Sequence, residues 1–175
     1  MKFAIVSTIL AAAAAVSAVS VQQLPLPFDE EIVSTLAAPT RPVPGNSPIA
    51  VCDIDDSQIL DLKYLKIDPN PPLKGAELYI EGEGYLDEQI DDGAFVEIEV
   101  RYGFIRLVKE TIDLCEQLEK ADGSCPVEKG PIKFSNTVEL PNEIPPGKYN
   151  VISRAYKADY KLISCLTATV EFPRN

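Results

Sequence analysis

Between positions 94 and 102 the chain alternates without a break: Ala94, Val96, Ile98, Val100 and Tyr102 against Phe95, Glu97, Glu99 and Arg101. Period-2 alternation of this length marks a β-strand with one dry face and one wet face. Similar runs recur at "IAVCDI" (49–54), "QILDLKYLKID" (58–68), "AELYIEGEG" (76–84), "PIKFSNTVEL" (131–140), "GKYNVISRAYKA" (147–158) and "ISCLTATVEF" (163–172), separated by clusters such as "PNPP" and "DEQIDDG". Seven short strands at regular spacing predict an all-β fold, an immunoglobulin-like antiparallel β-sandwich, without the buried tryptophan of antibody domains because the chain has no Trp. Only "KETIDLCEQLEK" (109–120) has helical composition. After Gly103 the apolar series resumes on odd positions at Ile105 and Leu107. One extra residue resets parity in this way, so a β-bulge at Gly103 is expected, the alternative being a turn at "YGF" that starts a new strand.

The N-terminus belongs to a different category. "MKFAIVSTILAAAAAVSA" has a basic start, an apolar run and small residues at its end, the pattern of a secretory signal peptide covering residues 1–18. The apolar run from Phe3 to Ala15 is shorter than the roughly 18 to 20 residues needed to span a bilayer. Residues 19–37 read as a propeptide, residues 38–48 as a Pro-rich lead-in with no packing pattern, and residues 49–173 as one domain large enough for a proper core. This places the protein in the secretory pathway, in the vacuolar lumen or outside the cell.

Charge and composition exclude whole classes of function. The chain carries 16 Lys+Arg against 27 Asp+Glu, a net charge of −11, and such a protein repels nucleic acid. Histidine is absent, which removes Ser-His-Asp and Cys-His nucleophile systems and most zinc sites. The four cysteines, Cys52, Cys115, Cys125 and Cys165, allow three pairings in principle. Asp122-Gly123 turns the chain back between Cys115 and Cys125 and favours that pair, leaving Cys52 with Cys165 to join the first strand to the last. With neither a Cys-x-x-Cys pair nor a histidine, the cysteines are expected in disulfides and not on a metal.

The order of motifs adds to this reading. "DPNPPLKGAELYIEGEG", "VRYGFIRLVKETIDLCEQL", "CPVEKGPI", "LPNEIPPGKYNV" and "ISCLTATVEF" follow one another over residues 50–173. In this order they resemble the ML (MD-2-related lipid-recognition) family, and within it the fungal phosphatidylglycerol/phosphatidylinositol transfer proteins, which are similar to Niemann-Pick C2 protein. The resemblance implies a sandwich whose sheets part to hold a lipid or sterol, and the same pairing of Cys52 with Cys165 and Cys115 with Cys125. It also implies a non-enzymatic monomer without cofactor or metal that moves phospholipid or sterol between membranes through transient membrane contact. Animal members add a third bridge near the second strand, where this chain has "NPPLKG" and no cysteine.

A lipid cavity needs apolar walls. The expected walls are Leu78, Ile80, Val96, Ile98, Val100, Tyr102, Val151, Ala155, Leu166, Ala168 and Val170, the inward sets of four strands. Taken by periodicity alone, the same stripes fill an ordinary core. Phe104 and Val108 fall on the parity opposite to Ile105 and Leu107 and are candidates for a portal that touches the bilayer. From Glu77 to Glu99 there are nine acidic residues and no Lys or Arg. Crowding of like charges is expected to raise their pKa values and make the surface acid-responsive. Two rivals stand beside lipid transfer: a secreted sandwich with a filled core that binds through its loops, and a hydrolase using paired carboxylates.

Overall fold

A computed structural model describes residues 39–120 and 123–174; the expected signal peptide and propeptide lie outside the described residues. The described chain contains β1 (Arg41–Pro42), β2 (Ile49–Val51), β3 (Leu60–Asp68), β4 (Glu77–Leu86), β5 (Phe95–Tyr102), β6 (Ile105–Asp113), a single helix α1 (Leu114–Lys120), β7 (Gly130–Glu139), β8 (Gly147–Tyr156) and β9 (Leu162–Phe172). One sheet has six strands in the order β1-β2-β9-β8-β5-β6 and the other three in the order β3-β4-β7. Every pairing is antiparallel. The two sheets form an immunoglobulin-like β-sandwich, with nine strands among the described residues where the sequence suggested seven.

Part of that difference lies at Gly103, where the expected bulge is replaced by a turn. Tyr102 pairs with Ile105, so Gly103 and Phe104 are the two central residues of a hairpin, and Gly103 has φ +56°. A glycine with positive φ at the first central position is the type II′ pattern, whose twist suits flanking antiparallel strands. The irregularity in register falls further on, where Val100 pairs with Val108 but Arg101 pairs with Arg106, leaving Leu107 as the extra residue. Both devices restart an alternation on a new parity, so periodicity cannot separate them; strand pairing does.

The segment with helical composition is also divided. Residues through Asp113 belong to β6, and the helix begins only at Leu114. The Asp113 carboxylate accepts a hydrogen bond from the Glu116 backbone N–H at 3.0 Å, a side-chain cap on the first turn. The helix follows β6, an edge strand of the six-stranded sheet, and precedes β7, an edge strand of the other.

The Pro-rich lead-in packs despite its composition. β1 pairs with β2, Val43 is buried, and the Pro44 and Asn46 carbonyls accept the backbone N–H groups of Leu65 and Ile67 at 2.8 and 3.0 Å. Proline lacks a donor but keeps its carbonyl, so the segment can accept from the edge of β3. At Gly45, φ is +125° and a Cβ would lie 2.1 Å from the Leu65 carbonyl oxygen, an approach open only to glycine.

Two buried clusters tie the sheets together. Ile59, Leu86, Ile90, Ala94, Ala155 and Ile163 close one end, joined by Val96, Leu114, Val127 and Ile132. Val43, Val51, Leu62 and Leu65 close the edge between β2 and β3, joined by Ile80, Phe134 and Leu166. At the end away from the first cluster, inward-facing apolar side chains belong to neither.

Candidate functional site

Strand register assigns each expected wall residue to a face. Across β5, β8 and β9, Val96 lies opposite Ala155, Ile98 opposite Ser153, Val100 opposite Val151 and Tyr102 opposite Tyr149; Leu166, Ala168 and Val170 continue these rows. Directly opposed residues share a face, and Ala155 anchors this one in the first buried cluster. In β4, Leu78 and Ile80 share the parity of the buried Leu86. All eleven therefore point between the sheets.

They divide into two groups. Val96 and Ala155 belong with the first cluster, and Ile80 and Leu166 pack against the second. Leu78, Ile98, Val100, Tyr102, Val151, Ala168 and Val170 join neither and remain only partly buried or exposed. Neighbours on the same inward faces are open to solvent: Val138, paired with Leu78, is 41% exposed, and Ile105, paired with Tyr102, is 62% exposed. Inward-facing apolar groups stay wet only where the opposite sheet does not cover them. The sandwich is thus closed at one end and along one edge, and opens as a groove toward the ends of β4, β5, β6 and β7.

The "LPNEIPPGKYNV" motif builds the mouth of that groove. The Tyr149 hydroxyl donates to the Pro145 carbonyl at 2.8 Å, and its ring stands 5.3 Å from Tyr102 and 5.7 Å from Phe172. At Gly147 a Cβ would lie 2.3 Å from the Tyr102 ring, so the glycine makes room for the aromatic. Of the two portal candidates, Phe104 is fully exposed at the hairpin tip. Val108 instead lies in register with the inward-facing Val100, because the extra residue in β6 is Leu107. Sequence reasoning missed Ile105, Tyr149, Phe134 and Val138. The last two were legible in the alternation Ile132, Phe134, Asn136, Val138.

Both disulfides have the expected partners. Cys52 and Cys165 are joined with Cα atoms 5.0 Å apart, and Cys115 and Cys125 with Cα atoms 5.6 Å apart. Gln58 brackets the first bridge, donating to the Cys52 carbonyl at 2.7 Å and accepting from the Cys165 N–H at 2.8 Å. Over it, Arg154 holds Asp53 through two hydrogen bonds of 2.7 and 3.2 Å, and this keeps the Asp53 carboxyl below its ordinary value. The one grouping of metal-ligand residue types among the described residues, Asp92 with Cys115 and Cys125, has both sulfurs in a disulfide.

At Glu88 and Glu99 the acidic run departs from what its sequence suggested. Glu83 pairs with Lys133 at 2.6 Å, Glu88 with Lys157 and Lys161, and Glu99 with Arg101. The hydrogen bonds from Lys161 and Arg101 hold the Glu88 and Glu99 carboxyls below the ordinary carboxylate value, opposite to the rise expected from crowding. Lys133 reaches Glu83 from the neighbouring strand β7, Lys157 and Lys161 reach Glu88 from a segment about 70 positions away in sequence, and Arg101 is two residues from Glu99 on the same strand. Two polar surface recesses, one around Gly75, Glu139 and Asn142 and one around Ile54, Gln58 and Asp87, include none of the expected wall residues.

A family model described as "ML domain" matches residues 46–172. The phosphatidylglycerol/phosphatidylinositol transfer protein of Yarrowia lipolytica is 56% identical over 131 residues, covering 75% of this chain and 69% of the relative. That of Kluyveromyces lactis is 44% identical over 176 residues, covering 99% of each. Among solved structures, a Niemann-Pick type C2 protein from Japanese carpenter ant is similar with a TM-score of 0.54 at 12% identity, over 66% of this chain and 94% of its own. Chicken MD-1 complexed with lipid IVa gives 0.53 at 17% identity, over 78% and 99%. At these identities the solved structures establish the shared sandwich, while the family match and the fungal relatives establish descent: the chain belongs to the ML domain family.

Proposed function

We propose that the protein takes up a membrane lipid in the groove between its sheets and transfers it between membranes. The observation that carries this reading is the set of inward-facing apolar side chains at the open end that neither buried cluster covers. Phosphatidylglycerol and phosphatidylinositol, named for the fungal relatives, are the favoured cargo, and a sterol is the other candidate. Leu78, Ile98, Val100, Val151, Ala168 and Val170 form the walls, with the exposed Tyr102 at the mouth and the buried Tyr149 packed beside it. Each methylene withdrawn from water contributes roughly 0.8 kcal/mol, so an acyl chain is held by shape and dryness without covalent chemistry.

Membrane contact falls to the β5–β6 hairpin. Phe104 stands at its tip beside the exposed Ile105 and Leu107. Arg106 and Lys109 lie among and just after them in sequence and supply positive charge toward anionic headgroups. The protein works as a monomer. With a signal peptide over residues 1–18, a propeptide over 19–37 and two disulfides, it matures in the secretory pathway and acts in the vacuole or outside the cell.

Native mass spectrometry of the purified protein, together with vesicle-to-vesicle transfer of labelled phosphatidylglycerol and sterol, tests the reading. One lipid per protein and transfer that rises with protein concentration are expected. A protein that carries no lipid and transfers none would leave a sandwich that binds through its loops.

A further inference from the structure

We propose that Phe134, laid across Gly82, forms the inner end of the groove and sets how long an apolar chain it accepts. The inference rests on the lipid-binding reading and goes beyond it, since it assigns the length preference to one pair of residues. Gly82 sits in the interior of β4, the central strand of the three-stranded sheet, and pairs directly with Phe134 on β7. Glycine in such a position weakens a strand and signals close approach by another group. Here the group is the phenyl ring: a Cβ on Gly82 would lie 2.3 Å from Phe134 Cζ and 2.7 and 2.9 Å from Cε1 and Cε2. Gly82 is not among the residues with positive φ, so space and not backbone conformation demands the glycine.

The ring lies at the boundary between closed and open interior. It packs against the cluster of Val43, Val51, Leu62 and Leu65, which Leu166 joins from the opposite sheet. The row on one side of it, Leu62, Gly84 and Ile132, leads into the packed end; the rows on the other, Ile80 with Asn136 and Leu78 with Val138, lead to the mouth. A chain entering past Leu78 and Val138 ends against the ring. A methyl group at position 82 lifts the ring tip into the path, and loss of the ring extends the path into the second cluster.

The test is competition among phosphatidylglycerols of graded acyl length, read by native mass spectrometry on the wild type, Gly82→Ala, Phe134→Leu and the double variant. Phe134→Leu should move the preferred length up by about two methylene groups and Gly82→Ala should move it down, each methylene being worth roughly fourfold in affinity. In the double variant the alanine should no longer shorten the preference, because the ring it displaces is gone. Unfolding midpoints identify variants that fail to fold; if Gly82→Ala does, Phe134→Leu decides alone. A wild type that carries lipid while the folded variants keep its length preference overturns the inference and leaves the lipid-binding reading standing. A wild type that carries no lipid removes both.

Discussion

Val100 and Ala155 both point between the sheets, yet the same enlargement should have opposite consequences at the two sites. Ala155 is 8% exposed and sits in the cluster that closes one end, against Ile59, Leu86, Ile90, Ala94 and Ile163. Ala155→Phe forces a ring into filled space, and overpacking of this kind costs about 1 to 3 kcal/mol or more. For a domain of this size each kcal/mol lowers the melting temperature by about 3 to 4 °C, so a fall of roughly 3 to 12 °C is expected. Val100 lies beyond that cluster, opposite Val151 and Val108, where the inward face is incompletely covered. Val100→Phe should change the melting temperature of lipid-free protein by no more than about 2 °C, the effect of less than 0.5 kcal/mol. The same ring occupies space meant for cargo, so lipid bound per protein should fall at least tenfold. Calorimetry of delipidated protein and native mass spectrometry of reloaded protein read the two axes separately. Equal destabilisation by both variants, with lipid loading unchanged in folded Val100→Phe, would refute the division of the interior into a closed and an open end.

Three further expectations follow from the site. Phe104→Ser should leave the melting temperature unchanged, because the ring is fully exposed. It should slow transfer between vesicles severalfold while preserving lipid binding in solution; unchanged transfer would move membrane contact elsewhere. Arg154 holds the Asp53 carboxyl below its ordinary value, so its stabilisation is fully present above the unfolded value near 4 and is lost as pH falls through the lower folded value. Denaturation midpoints of wild type and Asp53→Asn should differ at pH 7 by about 0.5 to 1 kcal/mol, a modest figure because both side chains are partly exposed to solvent, and should converge in acid; a gap independent of pH would count against the ion pair. The Cys52–Cys165 bridge spans 113 residues and the Cys115–Cys125 bridge spans 10. Replacing Cys52 and Cys165 by Ser should cost about 4 to 5 kcal/mol, against about 3 or less for the Cys115 and Cys125 pair, in chemical denaturation.

The alternation in 94–102 and its counterparts determined which residues face inward, because period 2 is a local property of an extended chain. Cysteine spacing and the turn expected of Asp122-Gly123 likewise pointed to the correct disulfides, and the order of motifs to the family. Whether an inward face is covered is not local. It depends on how far the other sheet reaches, which separated Ala155 and Val96 from Val100 and Val151 although all four alternate alike. The hairpin at Gly103, the packing of the Pro-rich lead-in through its carbonyls, and the pairing of Glu83 and Glu88 with distant lysines all involve contacts whose existence depends on the tertiary structure. Gly82 and Phe134 lie 52 positions apart in sequence, and only the pairing of β4 with β7 sets a ring on a glycine. The sequence by itself determined the sandwich and its inward faces; tertiary structure decided where that interior is closed and where it opens, because burial is a relation between sheets and not a property of a strand.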